Sequence, residues 1–555
     1  MERENRKKEQ AAFFLTGCLI GILCFVATYG FKILSFTYDG WLLKGDLDLM
    51  QHYIGWGHYR NSPWTFPVGL ISTLSMPYKM SVIYTDSVPA VALLFKILSP
   101  LLPETFQYFG LYGCFCFAMQ GGFSMVLLHR FIEKRWVVVL ASFFFVLSFP
   151  VLQRMYYHTA LASQWVILLS LCAWFCCEND SSIRRCVRWG LIGALCVSIH
   201  SYFLPMSGGI LLFSVLERIL KKKNANEPVK SEVIAGLLQI LSFCAAGLLT
   251  LWIFGAFYGG ASAIGGGIGT FESNLNTFYN PLGHGITGLS FPLYYDFQYE
   301  GFGYLGLGGL FLVLVLAGAV IRNRLKNKES AGIRTYLKDH PRQVLIFLLA
   351  LLFVMLSTLP NLTFNDVRLI AIPLPGRIRD FADIFRSNGR MIWVADYLIL
   401  LALFVCVDRM MKKQQLFLMI FAFFLQILDL SGEIRQKQAY FNTEQVYTSV
   451  FEDPAVLPVI ALKQEFILMD EDTALMMDAA YFAMKHRMWT SRFYYARNID
   501  AKVEEQKEKY RQELLDGNAR EDAVYLFDKD GIGSGEYPEL IRYEMGDHVL
   551  CVRKK

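Results

Sequence analysis

Paired thiols are the first thing this sequence lacks. Eleven of its twelve cysteines lie in or beside apolar runs and only Cys551 lies in the more polar tail, which excludes a disulfide framework and any thiolate metal spacing. Charge is scarce as well. Asp, Glu, Lys and Arg make up 18% of the 555 residues, whereas 54% are hydrophobic and 15% aromatic, so the apolar surface exceeds what one water-facing core buries. The chain therefore needs lipid. Its net charge of +5 is too unevenly placed to indicate an acidic or nucleic-acid partner and reports on topology instead. The tail has no Gly-rich phosphate loop, no paired Cys or His spacing and no nucleophile elbow, so it lacks the usual marks of an independent catalytic domain. No internal repeat or low-complexity tract stands out either.

What is present is a series of long apolar runs. Eleven segments (11–34, 106–128, 137–152, 160–177, 189–201, 202–216, 233–257, 305–321, 344–359, 391–407 and 416–430) are read as crossing roughly 30 Å of hydrocarbon. The first is too long for a signal-peptide core and no small-residue cleavage site follows it, so it is read as a retained anchor. The fifth and sixth are short and are expected to form a bent pair around His200 and Pro205; His200, an ionisable group within a span, is a functional candidate by default, with a neutral, hydrogen-bonded packing histidine the favoured reading. With the N-terminus in the cytoplasm, the cytoplasmic stretches hold 25 Lys and Arg in 75 residues, against 10 in 156 for the outer loops before the tail. That bias places loops 35–105, 153–159, 258–304 and 360–390, together with the tail, outside the cytoplasm. The stretch 88–102 bears Lys96 and is read as a helix lying in the interface. The expected architecture is a polytopic α-helical domain over residues 1–430 in the cell membrane and a small extracytoplasmic α/β domain over residues 431–555. In that tail, 465–469, 523–527 and 549–552 alternate as strands do, and 473–488 and 502–515 have helical spacing. A partner-binding or substrate-guiding module is the role such a tail suits.

Chemistry-bearing residues gather in the loops. In the run Gly45-Asp46-Leu47-Asp48-Leu49-Met50-Gln51-His52, an Asp46 N-cap would put Asp48 and His52 one turn apart on a face continued by Trp56 and Tyr59. A carboxylate there suits a general base acting on an acceptor hydroxyl, and the rings suit a sugar face or the headgroup belt. Arg386 and Arg390 are four apart at the start of the tenth span. On a helix they would share a face at headgroup level, where guanidinium groups fork onto phosphate oxygens; an ion pair to Asp380 or Asp383 is the competing reading. Loop 258–304 has no Lys or Arg but many Gly, Asn and aromatic residues, with Glu272, Asp296 and Glu300, a composition that suits folding over a carbohydrate.

An acidic residue soon after the first span, an interfacial helix and then the turn Phe66-Pro67-Val68-Gly69 resemble the first outer loop of the GT-C superfamily of membrane glycosyltransferases. The wider chain resembles a bacterial integral membrane family of GT-C type through Tyr84-Thr85-Asp86-Ser87-Val88-Pro89, Pro103-Glu104-Thr105-Phe106-Gln107-Tyr108, Glu300-Gly301-Phe302-Gly303-Tyr304 and Phe385-Arg386-Ser387-Asn388-Gly389-Arg390. The resemblance implies inverting transfer of a sugar from a polyprenyl-phosphate-linked donor to an extracytoplasmic cell-envelope glycan or lipid, among membrane lipids and without nucleic acid. By that resemblance Asp46 matches the catalytic acid or base, with Asp48 and His52 orienting or tuning it. Arg386 and Arg390 would hold the donor phosphate, and Trp56, Asp86, His158 and Glu300 would contact acceptor or sugar. Many GT-C enzymes carry a further acid in the second outer loop. Here that loop reads Arg154-Met155-Tyr156-Tyr157-His158-Thr159, so a metal-independent mechanism is favoured and the cofactor is left open; Asp48, His52, Asp86 and His158 are the side chains that would otherwise serve as ligands.

Two other readings stay open. A lipid or glycolipid transporter or flippase would use the same arginines and acids to guide a polar headgroup, and a non-catalytic scaffold would use the tail to recruit a partner. A transporter calls for pseudo-symmetric halves with polar residues at mid-membrane. Here the loops are asymmetric and the charges gather at one face, which favours the enzyme.

Overall fold

A computed structural model describes residues 2–259, 267–326, 340–497, 499–532 and 537–554. Nine helices among the described residues are long and apolar enough to cross a membrane: Lys7–Tyr29, Phe109–His129, Arg135–Arg154, Phe203–Asn224, Lys230–Ile253, Gly306–Asn323, Pro341–Thr358, Asn388–Met410 and Gln415–Asn442. The chain is a polytopic helical membrane protein. Of the eleven expected segments, the fourth is a shorter apolar helix, Thr159–Phe175, and the fifth falls within Ser182–Ile199, whose first turn already carries Arg184 and Arg185. The bend expected between the fifth and sixth lies at His200, which is extended (φ −161°, ψ 127°). Pro205 instead occupies the first turn of Phe203–Asn224, where its missing N–H has no intrahelical partner to lose.

Small residues set how closely the helices approach. Gly17 and Gly21, one turn apart on the first helix, face the backbone of Gly121 and Phe117, an approach that side chains would block. On the same helix Leu15, Leu19 and Leu23 point outward and are exposed, the stripe expected of a lipid-facing side.

The first long loop begins with the helix Leu47–Asn61. Asp46 caps it, its carboxylate accepting the Leu49 N–H at 2.9 Å. Every residue from Leu49 to Tyr59 is buried, because the helix is covered on two sides. Gly55 lies against Thr85 and Gly57 against Met484, so each glycine gives up helix propensity and opens space for a neighbour. The expected interfacial helix is Pro89–Ile97. It exposes Leu94 and Ile97 and turns Lys96 inward, with the ammonium 4.2 Å from the Tyr59 ring centre and 4.9 Å from that of Trp64.

The last long helix, Gln415–Asn442, continues past the change of character expected at Ser431. Beyond it a five-stranded sheet runs in the order Trp489–Thr490, Glu465–Leu468, Ala523–Asp528, His548–Arg553, Leu540–Met545. Pairing is parallel across the first three strands and antiparallel across the rest. Helices Thr473–Lys485 and Asp500–Leu515 accompany it. This unit docks on the first loop through backbone and amide groups. Gln51 Nε2 donates to the Tyr494 carbonyl at 2.8 Å and Asn61 Nδ2 to that of Met484 at 3.0 Å, while the Ala496 N–H donates to the Tyr84 carbonyl at 3.0 Å.

Candidate functional site

Six separate pieces of chain deliver ionisable side chains to one polar centre. Asp48 and His52 come from one face of the capped helix, as the one-turn spacing predicts. Asp86 comes from a turn in which its backbone is left-handed (φ 50°), a conformation Asp tolerates better than most residues. Arg154 ends the short helix Phe149–Arg154, and His158 follows it in the second loop. His200 stands at the helix break, Glu300 on the 3₁₀ turn Asp296–Gly301, and Arg390 on the 3₁₀ turn Asn388–Met391. His158 Nε2 lies 3.4 Å from Asp48 Oδ2, and His200 Nε2 lies 3.5 Å from Asp86 Oδ1. The backbone N–H of Tyr202 donates to His200 Nδ1 at 3.2 Å, which leaves the imidazole proton on Nε2, toward Asp86. Glu300 Oε2 is shared by Arg390 Nε at 2.7 Å and Arg154 Nη2 at 2.9 Å. The Arg390 guanidinium also sits 4.7 Å from the Tyr202 ring centre.

Burial and charge push these groups in opposite directions. Burial raises the Asp48 carboxyl to about 6; Asp46 reinforces that rise and Arg390 opposes it. Burial raises Asp86 to about 7, against the pull of Arg390. Burial alone takes His52 down to about 3 and, with Arg390, holds His158 well below the ordinary histidine range. Glu300 is the exception: burial opposes its ionisation, but Arg154 and Arg390 together hold its carboxyl below the usual range. The centre thus combines one firmly ionised carboxylate between two cations with two carboxyl groups shifted toward neutrality and uncharged imidazoles, the pattern from which acid–base chemistry is built. His52, Asp86 and His158 also bring one ligand atom each to within 4.8 Å of one another, so they are the residues placed to hold a metal ion.

A model for a domain of unknown function, DUF6311, matches residues 18–431, a stretch that contains this entire centre. The chain belongs to the DUF6311 family. A second model, the DUF6311 C-terminal domain, matches residues 459–553, the part that forms the sheet. No curated protein matches the chain.

Within this DUF6311 chain the expected residues divide by position. Asp48, His52, Asp86, His158, Glu300 and Arg390 meet in the centre. Asp46 stands at the helix start and spends one carboxylate oxygen on the cap. Trp56 is buried on the same helix, its indole N–H donating to the Phe106 carbonyl at 3.2 Å; it borders a cleft of about 560 Å³ shared with Arg60, Glu104, Tyr481 and Lys485. Arg386 and Arg390 do not share one α-helical face, because Arg386 follows one 3₁₀ turn and Arg390 lies on the next. Arg390 pairs with Glu300 rather than with Asp380 or Asp383, and the Asp383 carboxylate accepts the Ile268 N–H at 3.0 Å. Arg386 lies 5.5 Å from the Phe271 ring centre.

In loop 258–304, Gly260 and the pair Gly265-Gly266 lie outside the described residues. Asn274, Asn276 and Asn280 are buried. Asn280 binds the loop's own backbone, its Oδ1 accepting from both Leu282 and Phe291 at 3.1 and 3.0 Å, whereas Asn274 and Asn276 also tie the loop to Asn365, whose carbonyl accepts from Asn274 Nδ2 at 2.8 Å and whose Oδ1 accepts from Asn276 Nδ2 at 2.9 Å. Sequence reasoning passed over Arg154, which is the only cation of its short loop and so carried a signal. It also passed over Arg497, which acts on Asp86 from the tail and which no local pattern marks.

Proposed function

We propose that this chain is an inverting glycosyltransferase of GT-C type that takes a sugar from a polyprenyl-phosphate carrier and attaches it to a hydroxyl of a cell-envelope glycan or lipid. One observation carries the reading: the Asp48 carboxylate, 3.4 Å from His158, stands in the same centre as two arginines that share a single glutamate. Transfer from a phosphate needs a base for the incoming hydroxyl and cations for the departing phosphate. Asp48 takes the acceptor proton as the new C–O bond forms at the anomeric carbon. The old C–O bond breaks, its electron pair leaving with the polyprenyl phosphate. The Arg154–Glu300–Arg390 cluster keeps one net positive charge, which a lipid phosphate neutralises. Asp46 caps the helix and holds Asp48 in place, and its charge raises the proton affinity of Asp48. In this reading the N-terminus is cytoplasmic, and residues 491–497 of the tail cover the centre from outside and guide the acceptor.

The test is Asp48→Asn in cells with equal amounts of folded protein, following labelled sugar from polyprenyl-phosphate donors into envelope glycans. A fall of about 10²–10⁴-fold is the expected result, and unchanged transfer removes Asp48 as the base. Donor carried across the membrane without any transfer, even by the unaltered chain, points to a transporter instead.

A further inference from the structure

Neither ring nitrogen of His52 has a hydrogen-bond partner among the described residues, although the side chain is 0% exposed. A fully buried imidazole left this way forfeits the energy of a hydrogen bond at both ends. Its ligand atom is nevertheless aimed at two others, from Asp86 and His158, all within 4.8 Å of one another. We infer that His52, Asp86 and His158 form a binding site for a divalent transition metal ion, with zinc the ion that fits the donor set best.

The donor chemistry argues for zinc over magnesium or calcium. Two neutral imidazoles and one carboxylate are the ligands of open zinc centres, whereas the harder cations select all-oxygen sets. Bonds of about 2.0–2.2 Å require the three side chains to close by an adjustment on the order of an ångström, within reach of small rotamer changes. The surroundings assign the ligand atoms. His158 Nε2 faces Asp48 at 3.4 Å, and its Nδ1 is buried with no hydrogen-bond partner among the described residues, so Nδ1 is the ligand and Asp48 the carboxylate that orients the ring from behind. His200 Nε2 faces Asp86 Oδ1 in the same supporting way. Arg390 and Arg497 also act on Asp86 electrostatically and limit the affinity, which suits an ion that exchanges.

This inference concerns the same centre as the proposed transfer but is read without it. The full chain, purified in detergent and stripped with a chelator, is titrated with Co²⁺ while the visible d–d bands are recorded, and Zn²⁺ is then added in competition. One Co²⁺ per chain with imidazole-type bands, displaced by Zn²⁺, is expected. Those bands should vanish in His52→Ala and in His158→Ala, and Asp48→Asn should weaken binding by about 10–100-fold. Thermal unfolding of each apo variant checks its fold, and His52→Gln and Asp86→Asn, close in size to the native residues, replace any variant that does not fold. Absence of stoichiometric binding in the unaltered chain, or full binding in folded His52 and His158 variants, overturns the site. Metal binding without sugar transfer would leave the site standing and remove the glycosyltransferase reading; transfer without metal binding would do the reverse.

Discussion

Glu300 and Arg390 meet at 2.7 Å, and both are almost wholly buried, at 3% and 8% exposure. The pair joins the loop before the helix Gly306–Lys326 to the turn before Ile392–Met410, and Arg154 ties in the second loop. Removing one partner of a buried ion pair leaves an uncompensated charge. Glu300→Gln strands two guanidinium groups and is expected to cost about 3–5 kcal/mol, measured by denaturant unfolding in detergent. A loss below about 1 kcal/mol, the range of exposed pairs, would mean that the triad does not hold these loops together.

Asp46 and Asp48 are two residues apart and are expected to fail differently. Asp46→Ala removes the cap on Leu49 and should cost about 1 kcal/mol, whereas Asp46→Asn keeps capping ability and should cost little. Asp48→Asn leaves the Asp46 cap untouched and should leave stability nearly unchanged while lowering transfer by about 10²–10⁴-fold. Unfolding and transfer measured on all three variants separate the roles; Asp46→Asn losing all transfer at full stability would return the base to Asp46.

Much of this arrangement was legible because it depends on local rules. The N-cap at Asp46, the shared face of Asp48 and His52, and the tail elements near 465–468, 473–485 and 523–528 follow from residue spacing. Long-range pairing was not legible. Glu300 reaches Arg154 and Arg390 across long stretches of chain, and no periodicity encodes that. The shared-face reading of Arg386 and Arg390 failed because it assumed a continuous α-helix, and a four-residue spacing means nothing across two 3₁₀ turns. The strand Trp489–Thr490 is too short to show alternation, and Leu540–Met545, with one residue buried, three half-buried and two exposed, carries no clean period-two pattern.

Gly21 and Gly57 make a contrasting pair. A Cβ at Gly21 meets the backbone of Phe117, which cannot move without shifting a helix, whereas one at Gly57 meets the far end of the Met484 side chain. Gly21→Ala should destabilise by about 1–3 kcal/mol through overpacking. Gly57→Ala gains about 1 kcal/mol of helix propensity, which offsets the cost of moving a flexible thioether. Unfolding of the two variants side by side should therefore rank Gly21→Ala as clearly the worse; equal losses would show that Met484 is as immobile as backbone.

His58 links the first loop to the tail, and its protonation should set how the two respond to acid. Its Nε2 lies 2.9 Å from the Ala480 carbonyl, which only accepts, so the proton sits there; Nδ1 faces the Thr73 hydroxyl at 2.9 Å. Burial holds the imidazole at about 4, below its ordinary value of 6.5. Between those values the unfolded chain binds a proton that the folded chain refuses. Stability is therefore full above about pH 6.5, falls as the pH drops toward 4 with a slope of up to about 1.4 kcal/mol per pH unit, and levels off below. His58→Gln keeps a donor for Ala480 but cannot titrate, so its unfolding midpoint in detergent should change less between pH 7 and pH 5 than that of the unaltered chain. His52, lowered by the same cause, keeps part of the dependence in both. Identical pH profiles for the two proteins would show that His58 takes up its proton without releasing the tail.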